Sequence, residues 1–220
     1  MERISFRTGD GVNIVGNYFK PDNEHAPVFL LLHMMPSTKE SWNTFASFLQ
    51  EKGYAVLAID LRGHGESIEK NGKKIDFKEF RDEDHRESMN DIASAKEFLA
   101  EKKEIDISQM AIAGASIGAN LALWHASIDE NVRLLFLLSA GLDYRGIKTP
   151  ALARKFSGPV FIMASDGDSY AAESSRKLYD EFNGEKILKI ITGKSHGTNM
   201  INSEPELMNE LLGWIDGKFG

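Results

Sequence analysis

Short, mainly apolar runs recur along this chain, five of the six followed by a stretch with helical spacing, and that alternation limits the fold more than any other feature. The runs are Val28 to His33, Tyr54 to Ile59, Ile107 to Ala113, Arg133 to Ser139, Val160 to Ala164 and Lys186 to Ile191. A strand that is apolar at consecutive positions is buried on both faces, which is the habit of parallel strands covered by helices. Helical spacing covers Lys39 to Glu51, where Trp42, Phe45, Phe48 and Leu49 share a face and Gly53 ends the helix. It returns over Asp84 to Lys102, Ser116 to Ser127, Ala171 to Phe182 and Glu204 to Asp216. The pattern predicts an α/β fold with a mainly parallel sheet and helices on both faces. Its start differs: residues 3 to 8 and 12 to 19 are β-rich and flank Gly9-Asp10-Gly11, which predicts an antiparallel hairpin.

No linker-like stretch or shift in composition divides the 220 residues, so a single domain over residues 1–220 is expected. With 33 acidic and 26 basic residues the formal charge is -7, which repels polyphosphates and argues against a nucleic-acid partner. The densest basic run, Lys70 to Lys74, is broken by Asn71 and Gly72 and reads as a solvated loop. The chain has no cysteine, which removes disulfides, thiolate metal sites and a cysteine nucleophile together. No apolar stretch has signal-peptide or membrane-spanning length, so no membrane insertion is expected and the cytoplasm is the expected location. Neither a metal nor another cofactor is expected, because His, Asp and Glu nowhere take a compact ligand spacing.

In parallel sheets of this kind, reactive groups collect at the carboxyl ends of the strands. Gly114-Ala115-Ser116-Ile117-Gly118 lies where a strand should turn into a helix, the context a G-x-S-x-G nucleophile elbow requires. A serine hydroxyl is a weak nucleophile near neutral pH and needs a base within hydrogen-bond reach, itself oriented by an anion. His196, the only histidine in the last third of the chain, follows the strand ending at Ile191. Asp168 follows the strand ending at Ala164, with Asp166 two residues earlier and Asp143 after Ser139 as rival acids. The order nucleophile, acid, base is the one this architecture uses.

With these residues in view, the chain resembles the α/β-hydrolase superfamily, and more narrowly its small serine esterases, monoacylglycerol-lipase-like and dienelactone-hydrolase-like members. Leu32-His33-Met34-Met35-Pro36, with Ser41-Trp42 after it, is similar to the family's His-Gly loop, although Met34 stands where the glycine is usual. Asp60-Leu61-Arg62-Gly63-His64-Gly65-Glu66-Ser67 is similar to its D-x-R-G-x-G-x-S turn. The resemblance implies an oxyanion hole formed by the backbone amides of Met35 and Ile117. Serine at position 116 departs from the cysteine of dienelactone hydrolases proper, so that activity is not carried over. His33 and His64 are expected to brace turns, and His25, His85, His125 and Trp124 to have no catalytic role.

The expected activity is a serine carboxylesterase acting on a small ester, with lysophospholipase, monoacylglycerol lipase or thioesterase as alternatives and a non-catalytic binding protein as the rival from another class. Met34, Trp42, Tyr144, Tyr170 and Met200 lie near the expected active end and are candidate pocket residues. Only about 20 residues separate Ser139 from the next strand, too few for a separate lid domain. A shallow site with little or no lid favours short or medium acyl chains. The segment Ile68 to Glu83 is the other candidate flap, with Ile75, Phe77 and Phe80 as anchors.

Overall fold

Strands and helices alternate along the chain in the computed structural model, which describes residues 1–219. β1 (Glu2–Arg7) and β2 (Val12–Phe19) form the opening antiparallel hairpin, with Ile4 opposite Gly16. β3 (Ala26–Leu32), α1 (Asn43–Glu51) and β4 (Ala55–Ile59) follow, then a small hairpin of β5 (Glu69–Lys70) and β6 (Lys73–Lys74). After α2 (Asp82–Arg86) and α3 (Met89–Ala100) come β7 (Ile105–Ala115), α4 (Ile117–Ala126) and β8 (Val132–Leu138). A second small hairpin, β9 (Asp143–Tyr144) and β10 (Ile147–Lys148), leads through α5 (Pro150–Ala153) to β11 (Val160–Ser165). The chain closes with α6 (Ser169–Glu181), β12 (Lys186–Ile191), α7 (Thr198–Ser203) and α8 (Pro205–Ile215).

The sheet runs β12-β11-β8-β7-β3-β4-β2-β5-β6, with β1 on the other edge of β2. From β12 to β4 every pairing is parallel, and β2 joins β4 antiparallel. Alternation along each strand splits the core between the two faces. Val28, Leu30 and Leu32 of β3 pack with Ile92, Leu99 and Leu121 from α3 and α4 on one face. Phe29 and Leu31 pack with Phe45, Leu49, Leu211 and Ile215 from α1 and α8 on the other. This is why the strands are apolar at consecutive positions. α4 is buried nearly all round because it lies between the sheet and its neighbours, and its face-to-face asymmetry is correspondingly weak.

Two expectations are corrected. The stretch Asp84 to Lys102 is two helices, because the N–H of Ser88 bonds the carbonyl of His85 in a tighter i−3 turn before α3 begins. The last helix, α8, lies where it was expected, with a separate short helix, α7, before it and Glu204 extended at φ −133° between the two. The basic run Lys70 to Lys74 is not a loop: it forms β5 and β6, and β5 pairs with Val12 and Asn13 of β2. The candidate flap is thereby tied to the sheet, and the N–H of Phe77 bonds the carbonyl of Gly63 at 3.2 Å.

Two buried cations hold the turn after β4. Arg62, 2% exposed, donates from Nε and Nη2 to Asp91 Oδ1 at 2.9 and 2.8 Å, and from Nη1 to Asp10 and Glu87 at 2.9 and 3.0 Å. Lys39, equally enclosed, donates from Nζ to Asp60 at 2.8 Å and Glu66 at 3.0 Å. Ser67 Oγ accepts the N–H of Val15 at 2.9 Å. Each acidic or basic residue of this motif is therefore a tie between the turn and a different element.

Burial also sets the behaviour of four histidines. It pushes His33 down to about 3 and His85 down to about 4, and lowers His64 and His125 as well. Such groups stay neutral in the fold, whereas the unfolded chain takes up protons below roughly pH 6.5. Their contribution is complete above that pH and is lost as the pH falls toward the folded values. One unit below the unfolded value, His33 and His85 each cost on the order of 1.4 kcal/mol. The denaturant midpoint should accordingly fall between pH 7.5 and pH 5; a midpoint that holds steady or rises over that interval contradicts this account.

Candidate active site

Ser116 occupies the junction of β7 and α4 with φ +55° and ψ −120°, a backbone conformation costly for an L-residue. The flanking glycines make the turn sterically feasible. A Cβ on Gly114 would lie 2.2 Å from the carbonyl oxygen of Gly118, and one on Gly118 would lie 2.4 Å from that of Leu32. Close approach of β3, β7 and α4 therefore allows no side chain at either position. The N–H of Ser116 bonds the carbonyl of Leu138 at 2.8 Å, which ties the turn to the end of β8.

Asp168 caps the start of α6 just beyond β11, and His196 lies in the loop between β12 and α7. His196 Nδ1 meets Asp168 Oδ2 at 2.5 Å across 28 residues of sequence. The rival acids are engaged elsewhere. Asp166 Oδ1 accepts the N–H of Gly193 at 2.9 Å, and Asp143 Oδ1 accepts that of Gly146 at 2.8 Å within its own hairpin.

The loop that carries His196 also reaches the elbow. Gly197 has φ +57°, and a Cβ there would sit 2.4 Å from Met34 Sδ and 3.2 Å from Ala115 Cβ. Among the described residues, the Ser116 hydroxyl makes no hydrogen bond to His196; it lies beside the phenol of Tyr144. That phenol is pushed up to about 12, first by burial and then by the Asp168 carboxylate, while the Ser116 hydroxyl acts in the opposite sense. In unliganded sites the serine–histidine bond is often long and tightens once substrate binds.

The segment from His33 to Met35 follows β3, on the other side of Ser116. His33 accepts the N–H of Leu61 at Nε2, 3.0 Å away, which leaves the proton on Nδ1 to reach the carbonyl of Met34 at 2.9 Å. His64 Nδ1 bonds the carbonyl of Arg62 at 3.0 Å, and its ring stacks on Phe77 at 3.9 Å. Both histidines brace turns, as expected. Among the described residues, the N–H groups of Met35 and Ile117 meet no backbone carbonyl. Ile117 opens α4, where orphan N–H groups and the helix dipole favour a negative charge.

A family model for the alpha/beta hydrolase fold matches residues 27–161, which include the elbow and the Asp60-to-Ser67 turn. The chain belongs to the α/β-hydrolase family. It is similar, at 26% identity over 144 residues, to a polyketide transferase of Penicillium crustosum; the match takes in 64% of this chain. The chain spans less than half of that relative, 44% of its length. Among solved structures, an α/β-hydrolase of Penicillium sp. sh18 superposes with a TM-score of 0.81 at 16% identity, covering 99% of this chain and 98% of its own. An esterase of Pyrococcus furiosus gives 0.80 at 16%, covering 100% and 91%. At these identities the likeness to both structures is one of fold.

This α/β-hydrolase corrects two of the pocket expectations. Trp42 and Met200 are closed off at 1% and 0% exposure, packed with Phe45 and Leu212 in the core beneath α1 and α8. Nearness to the rim in sequence did not give the direction of Trp42 and Met200, which the packing of the short helical turn at Lys39–Trp42 and of α7 turns inward. Met34, 9% exposed against 8% for Ser116, lies at the depth of that serine and packs beside Gly197. Tyr144 and Tyr170 do stand at the rim, edge to face at 5.5 Å. Sequence reasoning missed Asn120, buried on α4, whose Nδ2 donates to the carbonyl of Ile147 at 2.9 Å and whose Oδ1 accepts the N–H of Gly141 at 3.1 Å. Asparagine inside an otherwise apolar helix was the available signal. A cavity of about 1010 Å³, lined in part by Gln109, Arg133 and Pro159, opens at the opposite ends of the strands.

The elbow geometry predicts the response to added methyl groups. Gly118→Ala should lower stability by roughly 1–3 kcal/mol or more, since backbone rather than a mobile side chain blocks the new atom. Gly213→Ala on α8, where a Cβ meets nothing within 4 Å, should be neutral or stabilise by about 0.5–1 kcal/mol. Chemical denaturation of the two variants checks both, and equal effects would contradict the steric argument.

Proposed function

We propose that this protein is a serine carboxylesterase that cleaves short- to medium-chain esters through an acyl-enzyme on Ser116. The observation that carries the reading is the 2.5 Å contact between His196 and Asp168, on the strand-end rim that also bears the strained elbow serine. With Nδ1 facing the carboxylate, Nε2 of His196 is left to take a proton. In the proposed reaction the Ser116 oxygen attacks the ester carbonyl carbon as its proton passes to Nε2. The N–H groups of Met35 and Ile117 receive the developing oxyanion, each donor contributing roughly 3 kcal/mol of transition-state stabilisation. Collapse breaks the carbon–oxygen bond to the leaving alcohol, which His196 protonates. Water, activated by the same histidine, then releases the acid and restores the serine.

Membership of the α/β-hydrolase family and the esterase among the fold neighbours support ester cleavage. The chain-length preference is supported by how little covers the rim: the connection between β8 and β11 holds only β9, β10 and α5. Tyr144 and Tyr170 are the proposed pocket walls. Small-molecule esters are the proposed partners, and among the described residues no helix is long and apolar enough to cross a membrane. A second reading, transfer of the acyl group to an alcohol instead of water, is favoured by the match to a polyketide transferase. Partitioning of the acyl group between water and added alcohol separates the two.

Ser116→Ala and His196→Ala should each lower kcat for nitrophenyl esters by roughly 10³-fold or more, with the circular dichroism spectrum unchanged. Near-normal hydrolysis by Ser116→Ala, or failure of a fluorophosphonate to label that serine, overturns the reading. Asp168→Asn should cost far more activity than Asp166→Asn, and the reverse order would reassign the acid. Rates across an acyl series should peak at short or medium chains; a maximum at long chains removes the proposed substrate class.

A further inference from the structure

Two serines outside the proposed catalytic set bracket the residue carrying its imidazole. Ser165, the last residue of β11, donates its hydroxyl to the carbonyl of Ser195 at 2.6 Å. Ser139, directly after β8, accepts the N–H of Gly197 on its hydroxyl oxygen at 2.9 Å. Both side chains are fully buried, and their partners are the residues immediately before and after His196. Ser139 holds this position at φ +51°, a left-handed conformation that L-residues rarely take.

Ser165 and the residue before Ser139 also reach the other members of the set. The carbonyl of Ser165 accepts the N–H of Asp168 at 3.1 Å, so one residue ties the acid's loop to the base's loop. Leu138, next to Ser139, accepts the N–H of Ser116 at 2.8 Å, so one dipeptide ties the nucleophile's turn to the base's loop. The N–H of Ser139 bonds the carbonyl of Met163 at 2.8 Å and joins the two ties. Strand ends thus supply a frame in which each loop is fixed against a neighbour. Without these bonds the loop would be held by Asp166 at Gly193 and by the 2.5 Å contact of His196 to Asp168, with no strand-end side chain bonded to the residue on either side of the histidine.

We propose that Ser139 and Ser165 are positioning residues for His196, clamping the backbone on both of its sides so that the imidazole faces Ser116 while bonded to Asp168. The proposal rests on the assignment of His196 as the base. Neither serine touches substrate. Their hydroxyls set the rate through the placement of another group, since a misplacement of about 1 Å can cost on the order of 10²-fold.

The test compares Ser139→Ala, Ser165→Ala and the double variant with His196→Ala and with Ser175→Ala. Ser175 is an equally buried serine of α6 whose hydroxyl has no partner among the described residues, and it controls for the loss of a buried hydroxyl as such. Three quantities are read: kcat and KM on a nitrophenyl ester, the denaturant midpoint, and the downfield proton resonance of the His196 Nδ1–H. The expected result is a fall in kcat of roughly 10- to 100-fold in each single variant, with KM little changed and the resonance shifted or broadened. Ser175→Ala should match the parent. Serine variants that keep the parent kcat, or that lose stability while kcat and the resonance stay as they were, overturn the proposal. A fall in kcat with an unaltered resonance overturns it too, because the imidazole would then be in place. If Ser139→Ala fails to fold, Ser165→Ala decides alone, since water can reach the half-buried Ser195 left behind. If His196→Ala itself remains active, it is the base assignment that fails, and the serine results no longer bear on it.

Discussion

Backbone against backbone contact at the elbow governs the rest of this molecule. Gly114, Gly118 and the carbonyl of Leu32 come so close that a single added carbon at either glycine would overlap main-chain atoms. That approach draws α4 down onto β3 and β7, the middle of the parallel sheet, and turns the helix into a buried core element. It also forces Ser116 into its left-handed backbone conformation, with its side chain at the rim beside Tyr144. The local strain is sustained by the surrounding packing, which leaves the turn no alternative.

A second level of constraint is electrostatic. Arg62 and Lys39 are withdrawn from water and surrounded by Asp91, Asp10, Glu87, Asp60 and Glu66. Desolvating such charges is expensive, and removing one partner of a buried pair commonly costs about 3–5 kcal/mol. The return is geometric. Arg62 fastens the turn to α3 and to the β1–β2 connection, and Lys39 fastens it to the segment after the proposed oxyanion loop. His33 adds a bond from that loop to Leu61. The two family motifs, separated along the chain, are one hydrogen-bonded unit.

What could be read from the residues follows from the range over which each signal acts. Strands buried on both faces show as consecutive apolar residues, and an elbow shows as two glycines around a serine, because both are local steric demands. The hairpin at residues 69–74 was invisible for the opposite reason: two-residue strands made of Glu and Lys owe their form to pairing with Val12 and Asn13, far away in sequence. Trp42 and Met200 sit close to rim residues along the chain, yet the direction of a side chain depends on the packing of the turn that carries it, and both point into the core. Asp168 could be ranked above Asp166 only by its distance from the strand end. The coordinates separate them by partner, an imidazole for one and the N–H of Gly193 for the other. The paired serines at 139 and 165 gave no sequence signal at all, since a serine at a strand end is an ordinary residue until the opposing loop is known.

The cover of the site extends the same logic to its open side. The β9–β10 hairpin is short, but it is not loose. Asn120 on α4 holds Ile147 and Gly141, Thr149 donates its hydroxyl to the carbonyl of Gly141 at 2.7 Å, and the hydroxyl of Tyr170 both accepts from the N–H and donates to the carbonyl of Asp143. These ties place the Tyr144 ring against Gly141, where a Cβ would meet it at 2.5 Å, and set its phenol beside Ser116. A wall fixed at that many points cannot swing aside as a lid domain does. Under the proposed reaction, discrimination between esters comes from the shape already present at the rim, and a group bound there must share its space with the Tyr144 phenol beside Ser116.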